Sequence, residues 1–240
     1  MTDTDLVDCV DSDGTNPSKR PFRTALIGSV VILAAAAILS LWAWGKIGPD
    51  ARIPIHWNAK GEADGFAGRI GIWYTVIGIA VLTLLLAVVP LLEPRKGHLL
   101  QSSRAYQALW LGTTAFMAML HAIVVFSALG HEVSINRWIC IGLGVFFAVI
   151  GNYLGKTRSN FIFGIRTPWT LSSELSWQRT HRLGGRLFLL FGLAVLALGI
   201  FNISGQLLFY SLVAGVLVVV PVPLIYSYVV WKNDPERNSG

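Results

Sequence analysis

"TALIGSVVILAAAAILSLWAW", residues 24–44, runs without a single charged side chain. A helix rises about 1.5 Å per residue, so roughly 20 apolar residues cover the ~30 Å hydrocarbon core of a bilayer. This stretch is long enough to cross. Further apolar windows near 71–92, 106–129, 137–154, 187–203 and 207–230 repeat the pattern between polar connections. The chain as a whole agrees: of 240 residues, 54% are hydrophobic and 13% charged, with a mean hydropathy of +0.60. An ordinary soluble domain carries about 25% charge. The sequence therefore predicts an all-α polytopic membrane protein with six transmembrane helices.

Lys19, Arg20 and Arg23 precede the first run, as they would in a secretory signal, and "SLWAWG" could pass for a cleavage region. A signal core spans only about 7–15 residues, whereas this run is longer and follows a polar stretch. An uncleaved first span is expected.

Lys and Arg are retained on the cytoplasmic side of short loops. With the N-terminus inside, Lys19, Arg20, Arg23, Arg95, Lys96, Arg104, Lys156, Arg158, Arg166, Arg179, Arg182, Arg186, Lys232 and Arg237 are cytoplasmic. Only Lys46, Arg52, Lys60, Arg69 and Arg137 remain outside. Both termini are therefore expected in the cytoplasm. The same distribution accounts for the formal charge of +6 and the pI of about 9.6. The cations are spread over loop ends facing anionic membrane lipids rather than gathered into one patch, so nucleic acid is not an expected partner.

The chain divides into an acidic tail, 1–22, a first membrane unit, 23–105, a second, 106–230, and a C-terminal cytoplasmic tail, 231–240. Asp3, Asp5, Asp8, Asp11 and Asp13 with few apolar residues make the N-terminal tail a candidate for disorder, as does "NDPERNSG" at the other end. Cys9 and Cys140 lie in a tail and a span and have no metal-ligand spacing, so no disulfide, metal or cofactor is expected.

Two connections, 45–70 outside and 155–186 inside, are longer than a compact bundle needs, and long ordered loops tend to carry function. The outer one reads "GKIGPDARIPIHWNAKGEADGFAGR", residues 45–69. Pro54 favours an extended Ile53, and Ile55 and Trp57 then alternate against His56 and Asn58 in a short strand. Gly61, Gly65 and Gly68 supply turns, while Trp57 suits the membrane interface. His56, Asn58 and Asp64 either hydrogen-bond the loop to itself or, with Trp57 and Gly61, present a binding surface.

The inner connection holds "NFIFGIRTPWTLSSELSWQRTHRLGGRLF", residues 160–188. A turn at Gly164 and an extended Thr167 before Pro168 lead to a helix capped by Ser172 or Ser173. Glu174 sits in its first turn, and the helix runs on into the fifth span. Glu174, Trp177 and His181 share one face, Gln178 is in reach of Glu174, and Arg182 lies beside His181. Three readings compete: a lock pairing Arg166 with Glu174, a lipid-phosphate site on Arg166, His181 and Arg182, or a surface that docks another protein.

Nothing in the motifs favours catalysis. There is no H-E-x-x-H, no phosphate-cradling glycine loop and no legible lipid-phosphatase motif set, so the chain is not expected to be an enzyme. His121, within the third span, reads as a neutral imidazole hydrogen-bonded between helices, since no acid inside a span is available for a proton relay. His98 and His131 read as solvated loop residues. Asn202 and Ser204 mark a short outer turn, and Pro221 and Pro223 are expected to kink the last span.

"IPIHWNAKGEADGF", residues 53–66, resembles the motif of a small membrane domain of unknown function, and residues 160–188 closely resemble the signature of the SdpI family of bacterial membrane immunity and signal-transduction proteins. Between them, "EPRKGHLLQSSRAY", residues 93–106, is similar to the family's inner-loop segment, with Glu93 and His98 standing where Asp and Asn are expected. The resemblance extends from the first span through the fifth. It implies a multi-pass protein of the bacterial plasma membrane that protects its producer from a secreted peptide toxin and signals by sequestering a cytoplasmic autorepressor. In the two long loops that would suit this role, the residues expected to make ligand or partner contact are His56, Trp57, Asn58, Gly61 and Asp64 outside. Inside they are Asn160, Phe163, Gly164, Arg166, Thr167, Pro168, Trp169, Thr170, Glu174, Trp177, Thr180, His181 and Arg182. The alternative is a protein that handles a phospholipid or carrier-lipid headgroup, as enzyme or transporter.

Overall fold

A computed structural model describes residues 21–203 and 205–238. The acidic stretch expected to be disordered lies, but for its last two residues, outside the described residues. In chain order the elements are α1 (Arg23–Trp44), β1 (Ile53–Trp57), β2 (Ala63–Ala67), α2 (Tyr74–Val88), α3 (Lys96–Gln101), α4 (Ser103–Ala128), α5 (Ile135–Leu154), α6 (Pro168–Ser172), α7 (Glu174–Ile200), α8 (Gly205–Val219) and α9 (Pro221–Lys232). Short 3-10 turns, Arg69–Trp73 and Val89–Leu92, extend α2 at both ends. Among the described residues, six helical segments are long and apolar enough to cross a bilayer: Arg23–Trp44, Arg69–Leu92, Ser103–Ala128, Ile135–Leu154, Glu174–Ile200 and Gly205–Lys232. The last is broken at Val220, where Pro221 and Pro223 open α9 without backbone N–H groups to continue the ladder of α8.

Small residues decide how the helices meet. The buried positions of α1 are Ala25, Ser29, Ala36, Ser40 and Ala43, whereas Ile38 and Leu41 point outward, as lipid-facing side chains do. The α5–α7 pair is tighter still. Gly151 faces Gly185, Gly144 faces Gly192, and Gly199 packs against Arg137, Cys140 and Ile141 of α5; a methyl group on Gly192 would lie 2.4 Å from the Ala148 nitrogen. One on Gly151 would lie 2.4 Å from the Leu189 nitrogen. The seven-residue spacing keeps these glycines on one face, so two antiparallel backbones touch over several turns.

His121 is fully buried and joins three helices. Its Nε2 lies 3.0 Å from the Ala36 carbonyl and 3.3 Å from Ser40 Oγ, and its Nδ1 lies 2.6 Å from Thr75 Oγ1. A carbonyl can only accept, so the ring proton sits on Nε2 and Nδ1 accepts from Thr75. This is the interhelical role read from the sequence.

The two described ends share a face with the 155–173 connection. Phe22 and Phe163 both pack on Tyr106, at ring-centroid distances of 5.2 and 5.7 Å, and the Ser173 hydroxyl donates to the Asp234 carboxylate. That contact, with a 3-10 turn over Pro235–Asn238, orders residues 233–238 of the stretch expected to be unstructured after α9. The β-hairpin occupies the opposite end of the bundle.

Candidate functional site

At the hairpin end, β1 and β2 pair antiparallel with Ile53 opposite Ala67, His56 opposite Gly65 and Trp57 opposite Ala63. Ile53 is buried with Ala43, Ile47, Ile72, Val124 and Val125, which clamps the hairpin onto the ends of α1, α2 and α4, and Trp57 packs at the edge of this cluster. The register slips between Pro54 and His56, so the expected alternation is broken: Ile53 and Pro54 turn inward and Ile55 outward. Arg69 stacks on the Trp44 ring, 4.0 Å from its centroid, and donates to the Trp44 carbonyl.

The polar residues of the hairpin serve one another. His56 Nδ1 meets Asp64 Oδ1 at 2.5 Å on the exposed surface. Asn58 Oδ1 accepts from the N–H groups of Lys60 and Glu62 at 2.9 and 3.1 Å, and Asn58 Nδ2 donates to Glu62. Gly61, at φ +86°, closes the turn against the Asn136 side chain of α5. The five residues singled out from the sequence thus come together in one cap, with His56 and Asp64 at its surface and Trp57, Asn58 and Gly61 half-buried.

At the other end, the 155–173 connection folds into the bundle between α3, α4, α7 and α9. Thr167 is extended (φ −114°, ψ 161°), as the following proline requires, and forms a capping box with Thr170 at the start of α6. Ser173 caps α7 through the Ser176 N–H. The cap oxygens also reach sideways: Thr167 Oγ1 lies 3.1 Å from Ser227 Oγ, and Ser176 Oγ donates to the Ser227 carbonyl at 2.8 Å. Trp169 meets Tyr228 edge-on, 5.2 Å between centroids. Both short helix starts are thereby tied to α9.

Trp177 and His181 form the centre. Their rings stack 3.9 Å apart, and both are fully buried. Trp177 Nε1 donates to the Thr157 carbonyl at 3.0 Å, and His181 Nε2 accepts from the Ile165 N–H at 2.9 Å. The ring proton is therefore on Nδ1, which donates to the Trp177 carbonyl at 2.8 Å. Gly164 has φ +111°, and a methyl group there would lie 2.5 Å from His181 Nε2, so only glycine lets the chain pass.

A second anchor is a buried carboxylate. Glu93 accepts from the N–H groups of Arg95 and Phe161 at 2.9 and 3.0 Å, Arg95 donates to Ser159 Oγ at 2.5 Å, and His98 Nδ1 lies 2.8 Å from the Ser159 carbonyl. Asn160, fully buried, accepts from Ile162 and Phe163 and donates to the Arg158 carbonyl. His98 thus sits on α3 and holds the connection, rather than standing free in a loop. Beneath Phe163 and Ile165 lies an apolar cavity of about 190 Å³ reaching Leu109, Tyr153 and Phe188.

Several expectations change. Glu174 pairs with Arg158, at 3.6 Å, and not with Arg166, whose guanidinium donates to the Phe161 carbonyl inside its own turn. The Glu174–Gln178 contact is present at 3.2 Å. His181 cannot join Arg166 and Arg182 in a phosphate site, because both its nitrogens are engaged and no part of it is exposed. Asn160, Thr167, Thr170, Trp177 and Thr180 are buried too, so they shape the connection from within; Phe163 and Trp169 are half-buried, and Gly164, Arg166, Pro168, Glu174 and Arg182 form its exposed surface. Glu93, Arg95, Thr157, Ser159 and Ser227 were not singled out as site residues. The sequence signals for Glu93 are its position as a lone acid ending an apolar run and its place at the head of the 93–106 segment that resembles the family's inner loop.

Comparison with known proteins places these two ends in context. Residues 156–227 match the SdpI/YfhL protein family, and residues 31–84 match a domain of unknown function, DUF1648. The former runs from the packed connection to α9, and the latter contains the hairpin. The chain is 22% identical over 208 residues to Immunity protein SdpI of Bacillus subtilis (strain 168), covering 85% of this chain and 95% of that protein. These findings bear out the resemblance read from residues 53–66 and 160–188. No solved structure matches the chain.

Proposed function

We propose that this chain is an immunity protein of the bacterial plasma membrane that protects its host from a secreted peptide toxin and works by binding, without chemistry of its own. The observation that carries this reading is the extent of the similarity to Immunity protein SdpI, which takes in nearly the whole of that protein and includes both ordered ends of the bundle. The geometry is in keeping with recognition. The polar groups of the packed connection are engaged in holding a rigid surface, and the hairpin cap presents Ile55, His56, Asp64 and Phe66 on a clamped support.

In this reading the hairpin meets the toxin, and the exposed knuckle of Arg166, Pro168 and Glu174 is offered to a cytoplasmic autorepressor. Coupling between the two ends requires two arrangements of the bundle that the partners prefer differently. The test is survival of a toxin-sensitive bacterial host expressing the chain and challenged with the peptide toxin of the family. Survival by the parent, lost in Trp57→Ala at unchanged membrane level, supports immunity acting through the hairpin. A parent chain that confers no survival would end the immunity reading.

A further inference from the structure

The contact of α5 with α7 opens, at the end bearing the packed connection, into a groove of about 250 Å³ lined by Asn152, Lys156, Arg182, Arg186 and Leu189 over a floor of Gly151, Gly155 and Gly185. The glycines bring the two backbones together, so the groove is shallow and its rim is cationic. Three other cations at this end are engaged: Arg158 with Glu174, Arg95 with Ser159, Arg166 with the Phe161 carbonyl. Lys156, Arg182 and Arg186 have no carboxylate partner among the described residues. Arg182 reaches only the Gln178 amide oxygen, at 3.4 Å, and Lys156 lies over the Tyr153 ring, 5.4 Å from its centroid.

The groove also has a depth. Lys156 follows the end of the α5 span at Leu154, and Arg186 directly precedes the apolar run of α7. Along one face of α7, Arg182 and Arg186 are succeeded at helical spacing by Leu189, Leu190 and Leu193, the last two 64% and 49% exposed. Charge gives way to outward-facing leucine within a single turn, which is the profile of a phospholipid from phosphate to acyl chain.

We propose that this groove binds one anionic phospholipid, its phosphate held by Lys156, Arg182 and Arg186 with the Asn152 amide beside it, and its chains lying along Leu189, Leu190 and Leu193. The site stands apart from the immunity reading and does not depend on it.

The experiment is native mass spectrometry of the full chain released from nanodiscs and titrated with phosphatidylglycerol or phosphatidylcholine. Phosphatidylglycerol is retained preferentially, and Arg182→Gln with Arg186→Gln weakens it about thirty-fold while leaving phosphatidylcholine unchanged. Lys156→Gln, at an exposed helix end, weakens it about five-fold and keeps the test open should the arginine pair fail to fold. Arg182→Lys with Arg186→Lys retains most of the binding, and Lys96→Gln with Arg104→Gln, the same loss of charge elsewhere, retains all of it. Equal weakening by both glutamine pairs, or no lipid preference in the parent, would overturn the proposal. So would displacement by millimolar inorganic phosphate, which assigns the groove to a soluble anion. Binding that emerges only after removal of residues 1–20 would assign it to the chain's own acidic segment and overturn it likewise.

Discussion

His181 lies nearly flat against Trp177, the planes 19° from parallel, and the two rings address opposite strands of the same connection: Trp177 holds the Thr157 carbonyl and His181 the Ile165 N–H. Residues 157 and 165 are thus fixed to adjacent turns of α7, and the intervening chain has little freedom. A tryptophan and a histidine that share a helix face with Glu174 act as the peg on which the connection is wound.

Removing one hydrogen bond of the peg should loosen the connection without dissolving the bundle. Trp177→Phe keeps most of the ring but leaves the Thr157 carbonyl unpaired, a loss of about 1–3 kcal/mol. His181→Ala also empties the space of a ring and should cost about 2–5 kcal/mol. Both are read by thermal unfolding of the detergent-solubilised chain and by proteolysis within 155–173. A connection that stays protease-resistant in His181→Ala would refute the anchoring role.

Gly164 and Gly97 make a contrasting pair. Gly164→Ala meets a positive φ and the His181 ring at once and should destabilise by about 1–3 kcal/mol. Gly97 lies in the short helix α3 with nothing within 4 Å of an added methyl group. Gly97→Ala should instead stabilise by about 0.5–1 kcal/mol through the smaller entropy of the unfolded chain. Melting temperatures that fall equally in both would contradict the assignment.

What the sequence revealed depended on how local the cause was. The six spans follow from hydropathy, and the extended Thr167, the turn at Gly164 and the Ser173 cap follow from neighbours within a few residues. One of the three readings of the inner connection pairs Glu174 with Arg166, but the reversal at Gly164 directs Arg166 to the Phe161 carbonyl and leaves Arg158 as the partner. The second strand, "ADGFA", has almost no intrinsic strand preference and exists because β1 offers it a ladder. Glu93 and Phe161 are separated by 68 residues, and no spacing rule connects them. The α5–α7 seam was present as glycines seven apart, yet glycine alone reads as a weak helix former rather than as a close contact.

Two glutamates at this end should respond differently to the same change. Glu93 is buried and accepts two backbone N–H groups, so Glu93→Gln turns an amide N–H₂ toward a donor or loses an acceptor, at about 1–3 kcal/mol. Glu174 is 46% exposed in its side chain and pairs with an Arg158 that is 52% exposed, so its pair contributes about 0–1 kcal/mol. Glu174→Gln should therefore leave the melting temperature nearly unchanged. Addition of salt should not alter the Glu93→Gln deficit, because a buried bond is little screened.

The assignment of toxin to the hairpin and repressor to the packed connection requires the two ends to face opposite compartments. Positive charge predicts the hairpin outside and the connection inside. Single cysteines make this measurable, because the native Cys140 is buried and Cys9 can be replaced by serine. Lys60→Cys, on the exposed turn of the hairpin, should react with a membrane-impermeant maleimide in intact cells. Ser172→Cys, exposed at the end of α6, should react only in inverted vesicles. Labelling of both from one side would place an even number of crossings between them, or none, at variance with the three helices α2, α4 and α5 that separate these positions; the reverse pattern would retain the six spans and exchange the compartments proposed for the two partners.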